Sequence, residues 1–386
     1  MSKLKVVSIF GTRPEAIKMA PLIKALEKEK DFESKVCVTA QHRDMLDQVL
    51  RLFNIVTDYD LNIMKERQTL FQITTSVLTG LEEVFKKENP DLVLVHGDTT
   101  TTFVAALAAF YNKIKIGHVE AGLRSFNKWF PYPEEINRKL TGVLADLHFA
   151  PTPKAKTNLL KEGVSEDSIF ITGNTVIDAM AYTIKKDYVF RDERLNKIDY
   201  ENKKVIVITA HRRENWGKPL ENICNALKDI SLEYGNKVYI VYPVHMNPVV
   251  RETVFNILGG LDNVLLLEPL DTDEMHNLMA RCYMVMTDSG GLQEEVPFLG
   301  KPVLVLRDVT ERPEAVEAGT VKLVGTAYEK IYKEASILLK NKEEYDRMAN
   351  AVNPYGDGKA SFRIVQAIKY VFGLTGIKPE EYKSGG

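Results

Sequence analysis

Short runs of apolar residues alternate with amphipathic stretches along the whole chain, and this alternation predicts its architecture. In the first half, the apolar runs lie at 5–10, 35–40, 91–96, 114–119, 147–150 and 169–172. The stretches between them, such as 14–28, 68–87, 100–112 and 134–144, carry apolar residues at helical spacing. Strands that alternate with helices predict a parallel sheet that is covered on both faces. The first half is therefore expected to form a doubly wound α/β domain.

The second half repeats the pattern, with strand-like runs at 205–209, 238–243, 264–267, 283–287 and 303–306. This repetition predicts a second Rossmann-like domain, so the fold class is α/β with two doubly wound domains. We place the first domain at 1–172, the second at 173–359 and a last amphipathic helix near 360–374. The charged stretch 185–204 is interpreted as a linker or connecting turn region, and the polar tail 379–386 as frayed.

Composition and charge narrow the class of partner. The chain has 386 residues, of which 45% are hydrophobic and 27% charged, and its net charge is -2. A chain with this balance of charges has no excess of positive charge that would attract nucleic acid or an acidic membrane surface. No apolar run approaches the length of a membrane helix, and the first run is interpreted as a strand rather than a signal peptide. Cys37, Cys224 and Cys282 are odd in number and lack metal-ligand spacing, which favours a protein of the reducing cytoplasm. No metal and no cofactor are expected.

The residues that follow each strand are the candidates for function, because ligands of doubly wound sheets bind beyond the carboxyl ends of the strands. Arg13 follows the first strand, in a turn that matches neither a dinucleotide fingerprint nor a Walker loop, and Lys18 lies about one turn further on. Carboxylates occur at comparable positions further along the chain: Asp98, Glu120 and Glu134. Three carboxylates at one edge of a sheet favour acid/base chemistry.

Each of these residues also has a purely structural interpretation. Asp98 could cap the helix that follows it, and Glu134 could pair with Arg138 one turn away. His96 and His118, which end two neighbouring strands, could be hydrogen-bonded core residues. These alternatives stay open at the level of the sequence.

The second half supplies cations at its strand ends. His211, Arg212 and Arg213 follow its first strand, and His245 follows its second. The turn Ser289-Gly290-Gly291 leads from a strand into a helix, where free backbone N–H groups suit a phosphate. Ser289 could instead be a helix cap, as serine often is.

Further charged residues surround this turn in the sequence. Arg307 and Arg312 add to the cations and predict a wall suited to a diphosphate. Glu294 or Glu295, one helical turn from the phosphate loop, could hold two vicinal hydroxyls of a ribose. The second half is therefore predicted to bind a nucleoside diphosphate.

Eight motifs occur in order along the chain, at 10–21, 96–100, 118–124, 133–138, 211–215, 287–295, 307–314 and 353–358. Together they closely resemble the motifs of the non-hydrolysing UDP-N-acetylglucosamine 2-epimerases. The resemblance implies a GT-B-like fold, in which two Rossmann-like domains flank an interdomain cleft and the C-terminal helix crosses back to the first domain. It also suggests a homodimer.

The resemblance implies an isomerase that reversibly epimerises UDP-GlcNAc to UDP-ManNAc at C2. The reaction would proceed by anti elimination of UDP to 2-acetamidoglucal and re-addition, and it would supply ManNAc-type sugars for cell-surface polysaccharides. The positions that match the family's catalytic residues are Asp98, Glu120, Glu134 and His211. The predicted contacts of the UDP-sugar are Arg13, Lys18, Arg212, Ser289, Gly290, Gly291, Glu295 and Arg312.

A regulatory site is a further hypothesis. Some bacterial members bind a second UDP-GlcNAc as an activator beside the active site. The positions that we match to its contacts are Gln41, Arg67, Glu134, Arg212 and His245. Asp44 stands where some of those members have an amide side chain, and this departure leaves activation open.

Three other functions would use similar residues. A hydrolysing epimerase would release free ManNAc and UDP, and a GT-B glycosyltransferase would need an acceptor site that the sequence does not indicate. A nucleotide-sugar sensor would keep the arginines but have no use for carboxylates at three strand ends. In heavy water, deuterium at C2 with both UDP-sugars present would support the epimerase, whereas free sugar with UDP, or intact protonated substrate, would reject it.

Overall fold

The structure is a computed structural model that describes residues 3–40, 43–64 and 68–383. Its internal contacts divide the chain into two compact units. Unit 1 combines the residues up to Tyr182 with those from Tyr355 to residue 383, and unit 2 runs from Thr183 to Pro354. The chain therefore leaves unit 1 after Tyr182, not after residue 172, and returns to it at Tyr355, not at residue 360.

Unit 1 is built on a parallel sheet. Its described strands are β1 (Leu4–Phe10), β2 (Phe32–Val38), β3 (Tyr59–Asp60), β4 (Leu92–His96), β5 (Lys115–Val119), β6 (Leu147–Ala150) and β7 (Ile169–Ile171). They are arranged in the order β3-β2-β1-β4-β5-β6-β7, and every neighbouring pair is parallel. This order places the ends of β1, β4 and β5 side by side.

Helices cover both faces of this sheet. The helices that precede unit 2 are α1 (Arg13–Glu27), α2 (Arg43–Leu52), α3 (Leu70–Glu88), α4 (Thr100–Tyr111), α5 (Glu134–Leu144), α6 (Pro153–Lys161) and α7 (Thr175–Thr183). Val6 and Phe10 of β1 share a core with α1, whereas Val7 and Ile9 share a core with α3 and α4. Since both faces are buried, these strands are continuous apolar runs, which is the pattern that made them recognisable in the sequence.

Unit 2 has the same construction. Its described strands are β8 (Lys204–Thr209), β9 (Val238–Pro243), β10 (Val264–Leu267), β11 (Met284–Thr287), β12 (Val303–Val305) and β13 (Val321–Leu323), which form a parallel sheet in the order β10-β9-β8-β11-β12-β13. Its helices are α8 (Glu193–Asn196), α9 (Lys218–Tyr234), α10 (Pro248–Leu258), α11 (Thr272–Arg281), α12 (Leu292–Phe298), α13 (Pro313–Glu317), α14 (Tyr328–Lys340) and α15 (Lys342–Ala349). The chain is thus a two-domain α/β protein, as predicted.

The last helix, α16 (Ala360–Val371), belongs to unit 1 and packs against α1. Asp178 of α7 holds the first turn of α16 in place. Its carboxylate accepts hydrogen bonds from the N–H groups of Ala360 at 3.1 Å and Ser361 at 2.7 Å. The prediction of a frayed tail is wrong for the described residues. Tyr382 is 5% exposed, and its N–H donates to the carbonyl of Ile171 at 2.8 Å, so the tail is bound to the edge strand β7 at this residue.

Each predicted apolar run forms a strand, but β3 and β13 were not predicted. β3 has the sequence Tyr-Asp and β13 has Val-Lys-Leu, so a charged residue in each interrupts the apolar run by which the other strands were recognised. The stretch 185–204 is a packed turn region rather than an open linker. Phe190 and Leu195 are buried in it, and Arg191 forms ion pairs with acidic residues at the start of α11.

Candidate active site

Three neighbouring strands of unit 1 end beside candidate residues. β1, β4 and β5 are adjacent in the sheet, and Arg13, Asp98 and Glu120 follow them. The turn after β1 requires glycine, because a Cβ on Gly11 would lie 2.1 Å from Oγ1 of Thr39. The backbone of this turn is therefore in close contact with its neighbours, which fixes the position from which α1 begins.

Glu120 is held by side chains from two other elements. Its Oε2 accepts a hydrogen bond from Nδ2 of Asn174 at 2.7 Å and forms an ion pair with Nζ of Lys18. The side chain of Glu120 is 9% exposed, and its backbone has a φ of 63°, which is uncommon outside glycine and occurs often at functional sites. Lys18 was predicted to contact the UDP-sugar directly, and in this structure its ammonium group contacts the candidate catalytic carboxylate.

Asp98 is bound by α5. Its Oδ2 accepts a hydrogen bond from Nε of Arg138 at 2.8 Å and lies 2.6 Å from Nη2 of the same residue. Nδ2 of Asn137 donates to the Asp98 carbonyl at 2.9 Å. The alternative that Asp98 caps α4 is wrong, because Thr99 is the N-cap residue and its Oγ1 accepts from the N–H of Thr102.

Glu134 is the first residue of α5, and its Oε2 is buried with no hydrogen-bond partner among the described residues. The proposed pair of Glu134 with Arg138 is not formed. Arg138 donates instead to Oε2 of Glu135, at 3.0 Å, in addition to Asp98. Glu135 is fully buried and also accepts the N–H groups of Ser125 and Phe126, so it fixes the loop that leads into α5. A buried carboxylate oxygen without a donor is costly unless a ligand supplies one.

Two buried histidines, His96 and His118, lie at the ends of β4 and β5, the strands that precede Asp98 and Glu120. His118 is a hydrogen-bonded core residue, since its Nε2 lies 2.7 Å from the carbonyl of Gly97, and burial lowers its pKa to about 3. His96 has no hydrogen bond to a described residue, and its Nε2 lies 3.8 Å from Oε2 of Glu120. Burial lowers the pKa of His96 to about 4, although the Glu120 carboxylate acts in the opposite direction. Both imidazoles are therefore neutral near pH 7.

Glu15 links two of the loops that carry candidate residues. Its Oε2 accepts the N–H groups of Gly11 at 3.1 Å and Thr12 at 2.8 Å. Its Oε1 accepts the hydroxyl groups of Thr99 at 2.7 Å and Thr102 at 3.0 Å. Glu15 is 3% exposed, and burial raises its pKa while these hydrogen bonds oppose the shift. The sequence contained one signal of this role, the capping-box spacing from Thr12 to Glu15.

In unit 2, a buried aspartate fixes the first candidate residues. Asp288 is fully buried, and its Oδ2 accepts the backbone N–H groups of His211 and Arg212, both at 2.8 Å, and Nδ2 of Asn215 at 3.0 Å. Its other oxygen lies 3.5 Å from Nδ1 of His211. Burial lowers the pKa of His211, and the Asp288 carboxylate opposes this shift. Asp288, from the neighbouring strand end, therefore fixes the backbone of His211 and places a carboxylate near its ring.

The turn Ser289-Gly290-Gly291 is not a serine-capped helix. Gly291 is the N-cap residue of α12, with no side-chain cap, and the N–H of Ser289 donates to Oγ1 of Thr287 at 2.9 Å. Gln293 is fully buried and connects this turn to a later loop. Its Nε2 donates to the Ser289 carbonyl at 3.1 Å, and its Oε1 accepts the hydroxyl group of Thr310 at 2.6 Å.

Most of the predicted cations of unit 2 are paired with carboxylates. Arg212 contacts Oε1 of Glu311 at 3.0 Å, and Arg307 contacts Oε2 of the same residue at 2.7 Å and Glu214 at 2.7 Å. Burial alone would raise the pKa of Glu311, but a backbone hydrogen bond and the two arginines lower it to about 2. A Cβ on Gly290 would lie 3.2 Å from Oε1 of Glu311. The carboxylate thus lies beside the candidate phosphate turn, between two guanidinium groups.

Arg312 and Arg213 are placed differently. Arg312 forms an ion pair with Glu294, which is 2% exposed, so Glu294 is not available to a ribose. Glu295 is more accessible, with 14% of its side chain exposed, and its Oε2 lies 3.4 Å from Nε2 of His276. Of the two alternatives, Glu295 therefore fits the ribose contact better. Arg213 lies over the ring of Trp216.

The residues matched to an activator site are described only in part. Gln41 and Arg67 lie outside the described residues, as does the side chain of Asp44. The rings of His245 and His211 are stacked, which brings a candidate activator contact beside a candidate catalytic residue. In the described ranges, no group of acidic, histidine or cysteine residues has the arrangement of a metal site. The same ranges hold no helix that is long and apolar enough to span a bilayer.

The sequence reasoning missed three residues that bind candidate residues or the loops beside them: Glu15, Asn174 and Asp288. Asn174 follows β7, and the rule that ligands bind beyond strand ends would have found it if it had been applied to that strand. Asp288 lay in a recognised motif, but its partners on the β8 loop depend on the order of the strands.

Comparison with known proteins places the chain among enzymes of nucleotide sugars. A family model described as UDP-N-acetylglucosamine 2-epimerase matches residues 24–369. A relative from Clostridium acetobutylicum is 68% identical over 382 residues, which cover 99% of each chain. The UDP-N-acetylglucosamine 2-epimerase of Bacillus subtilis is 56% identical over 382 residues, again 99% of each chain. The structure of the Neisseria meningitidis UDP-GlcNAc 2-epimerase bound to UDP-GlcNAc is similar with a TM-score of 0.85 and 51% identity, over 95% of this chain and 99% of that one.

Proposed function

Because the chain belongs to the UDP-N-acetylglucosamine 2-epimerase family, we propose that it is a non-hydrolysing isomerase that interconverts UDP-GlcNAc and UDP-ManNAc. The observation that carries this proposal is the pairing of charges at the ends of β4 and β5. Asp98 is held by Arg138, and Glu120 by Lys18. Two carboxylates fixed at neighbouring strand ends are suited to move protons on a bound sugar. UDP-GlcNAc bound to the Neisseria relative supports the choice of substrate.

The chemistry explains why carboxylates alone are not sufficient. The hydrogen at C2, beside an acetamido group, is far too weakly acidic for a carboxylate with an ordinary pKa near 4.3 to remove it unaided. Loosening of the C1–O bond to UDP creates positive charge at C1 and makes the C2 hydrogen more acidic. Elimination then gives 2-acetamidoglucal and UDP, and addition of UDP with a proton on the opposite face of C2 gives the epimer.

Unit 2 supplies groups that stabilise the departing UDP. Arg212 and the turn Ser289-Gly290-Gly291 would contact the diphosphate. Negative charge develops on the β-phosphate as the C1–O bond breaks, and fixed cations stabilise it more than they stabilise the intact substrate. His211 would serve the same oxygen, since the Asp288 carboxylate, 3.5 Å from its Nδ1, would stabilise an imidazolium formed beside the phosphate. Arg312, paired with Glu294, would hold the nucleotide.

Inversion at C2 requires proton transfer on both faces of the sugar, and three carboxylates of unit 1 are the candidates for this task. Asp98 and Glu120 are each fixed by a cation, whereas the buried oxygen of Glu134 has no donor among the described residues. We propose that Glu134 accepts a hydrogen bond from a hydroxyl group of the sugar, which would satisfy this oxygen. Asp98 and Glu120 are then the two proton-transfer groups, one for each face.

A proton NMR experiment in heavy water tests the function. Incubation with UDP-GlcNAc should produce a mixture of the two UDP-sugars, with deuterium at C2 of both. Free sugar together with UDP would instead indicate a hydrolysing epimerase, and unchanged, protonated substrate would indicate a glycosyltransferase or a sensor. The product UDP-ManNAc would supply ManNAc-type sugars for cell-surface polysaccharides.

We also propose that the protein is a homodimer. α4 packs between α3 and α5, and these three helices expose large apolar side chains in unit 1: Phe71, Phe110, Tyr111, Leu140 and Val143. A surface of this kind is typical of a protein–protein contact. Light scattering should give a dimer for the wild type and a monomer for Val143→Glu. Val56→Glu is the matched control, because Val56 is equally exposed, at 83%, but lies outside these helices.

A further inference from the structure

We propose that Glu15 is a positioning residue for the reaction, because its carboxylate holds the loop of Arg13 and the loop of Asp98 in a fixed relationship. The roles of Arg13 and Asp98 rest on the proposed function. The contacts of Glu15 do not, because they are made within unit 1 to backbone and hydroxyl groups.

The two oxygens of Glu15 serve different loops. Oε2 accepts the N–H groups of Gly11 and Thr12, the two residues that precede Arg13. Oε1 accepts the hydroxyl group of Thr99, which directly follows Asp98, and that of Thr102 one turn later. Because a carboxylate is planar and rigid, its position relates the start of α1 directly to the start of α4.

These contacts exceed what a helix cap requires. In a capping box the acid accepts one hydrogen bond, from the N–H group of the N-cap residue, which is here Thr12. The other three donors belong to Gly11 and to two threonines that lie more than 80 residues further along the chain. Thr102 has one hydroxyl hydrogen, which Glu15 shares with the His96 carbonyl, so three donors belong to Glu15 alone. Burial of an ionised carboxylate is costly, and the donors from two loops that offset this cost hold the loops close together.

The second threonine extends the network to another candidate residue. Oγ1 of Thr102 lies within hydrogen-bonding distance of both Glu15 and the carbonyl of His96, so the residues on both sides of Asp98 are tied to the same group. A displacement of about 1 Å in a reacting group typically costs about 100-fold in rate. Small movements of the Asp98 loop should therefore be visible in turnover before they affect the fold.

Glu15→Gln is the main test, because glutamine has the same shape but offers a donor where one carboxylate oxygen accepts. Either the two N–H groups of the Arg13 loop or the two hydroxyl groups beside Asp98 then lose an acceptor. Because the same side chain holds both loops, its movement away from one loop displaces the other as well. We expect kcat/KM for UDP-GlcNAc to fall by about 100-fold, with a lower kcat as well as a higher KM, since both loops are displaced. The matched control is Asp178→Asn, another buried carboxylate of unit 1 that accepts two N–H groups, at the start of α16.

The control separates positioning from stability. Both variants should lower the melting temperature, but Asp178→Asn should keep the wild-type kcat/KM. An unchanged kcat/KM in a folded Glu15→Gln protein would overturn the proposal. If that variant does not fold, Thr102→Val replaces it, because valine removes one donor to Glu15 without changing the size of the side chain. A wild-type kcat/KM in Thr102→Val would then overturn the proposal in the same way.

Hydrogen exchange keeps this test independent of the proposed function. In Glu15→Gln, the backbone amides of residues 11–13 and 97–102 should exchange faster than in the wild type, and in Asp178→Asn they should not. Unchanged exchange in both segments would overturn the positioning role even if the protein acts on another substrate. If the wild type fails to epimerise UDP-GlcNAc but the two segments exchange faster, the proposed function fails and the positioning role stands.

Discussion

The imidazole rings of His211 and His245 are stacked, with centroids 5.2 Å apart and planes 9° from parallel. His211 is a proposed catalytic residue, and His245 is one of the positions matched to an activator site. A second UDP-GlcNAc that contacts His245 would therefore restrict the ring that serves the departing UDP. This contact gives the hypothesis of activation a physical route, because a ligand acts at a distance only through groups whose arrangement it changes.

We predict that the rate rises sigmoidally with UDP-GlcNAc and that UDP-ManNAc alone is converted slowly. His245→Ala should make the curve hyperbolic and lower the maximal rate, because the activator loses a contact and His211 loses its stacked neighbour. Met246→Ala is the control, since Met246 is adjacent in sequence and 60% exposed. Initial rates at increasing substrate concentration decide the question, and a hyperbolic wild-type curve would reject activation.

Lys18→Met should reduce kcat by about 100-fold, because Glu120 loses the cation that holds it at the end of β5. The matched control is Lys156→Met, which removes a similarly buried lysine of unit 1 that pairs with Glu166 and Glu381. Stopped assays of UDP-sugar interconversion provide the measurement. Equal losses of activity in the two variants would mean that Lys18 acts only through stability.

Glu295→Gln should weaken the binding of UDP by about 10- to 100-fold, since hydrogen bonds from the ribose hydroxyl groups to a charged acceptor are lost. The wild type should bind UDP better than 2′-deoxy-UDP, and the variant should bind both equally. Glu294→Gln is the comparison, because Glu294 is paired with Arg312 and should affect the two ligands alike. Titration calorimetry measures all four affinities of the two variants. A preference for UDP that survives in Glu295→Gln would contradict the ribose contact.

Unit 1 should lose stability in mild acid. Burial lowers the pKa of His96 and His148 to about 4 and that of His118 to about 3, from an ordinary value of 6.5. Below pH 6.5 these three histidines bind protons in the unfolded chain but not in the folded chain. Their contribution to the free energy of unfolding therefore decreases as the pH falls toward 4, and it is constant above pH 7. Each histidine contributes roughly 1.4 kcal/mol per pH unit in this window.

Calorimetry at a series of pH values tests this expectation. The transition of unit 1 should move to lower temperature between pH 6.5 and pH 4, and His148→Asn should reduce the slope. His148 is the preferred substitution because it is buried on β6 and has no proposed role in the reaction. A slope that is unchanged in His148→Asn would show that other groups govern the acid sensitivity.

The sequence predicted the sheets well because buried parallel strands are continuous apolar runs, and such runs are visible without any knowledge of contacts. It also predicted which residues follow the strands. The partners of those residues were harder to predict. One alternative paired Arg138 with Glu134, one turn earlier on the same helix, but Arg138 binds Asp98, which is forty positions away. The choice between two acids depends on the distance between β4 and α5, and no local pattern specifies that distance.

The same limit applies to Ser289 and to the C-terminal tail. A serine before two glycines is typical of a helix cap, but Thr287 binds the Ser289 N–H and α12 begins only at Leu292. The tail is polar and was predicted to be frayed, but its N–H group at Tyr382 pairs with β7 and its ring is buried. In both cases a single tertiary contact outweighs the local preference.

The return of the chain to unit 1 reverses the order in which the two units are completed during synthesis. Unit 2 is continuous in sequence, so its core can close as soon as residue 354 has left the ribosome. Unit 1 must wait for α16 and for the segment at Tyr382, although its first residues are made first. Domains usually fold from the N-terminus during translation, but here the core that the N-terminal sheet shares with α1 lacks the side chains of α16 until the last segment arrives.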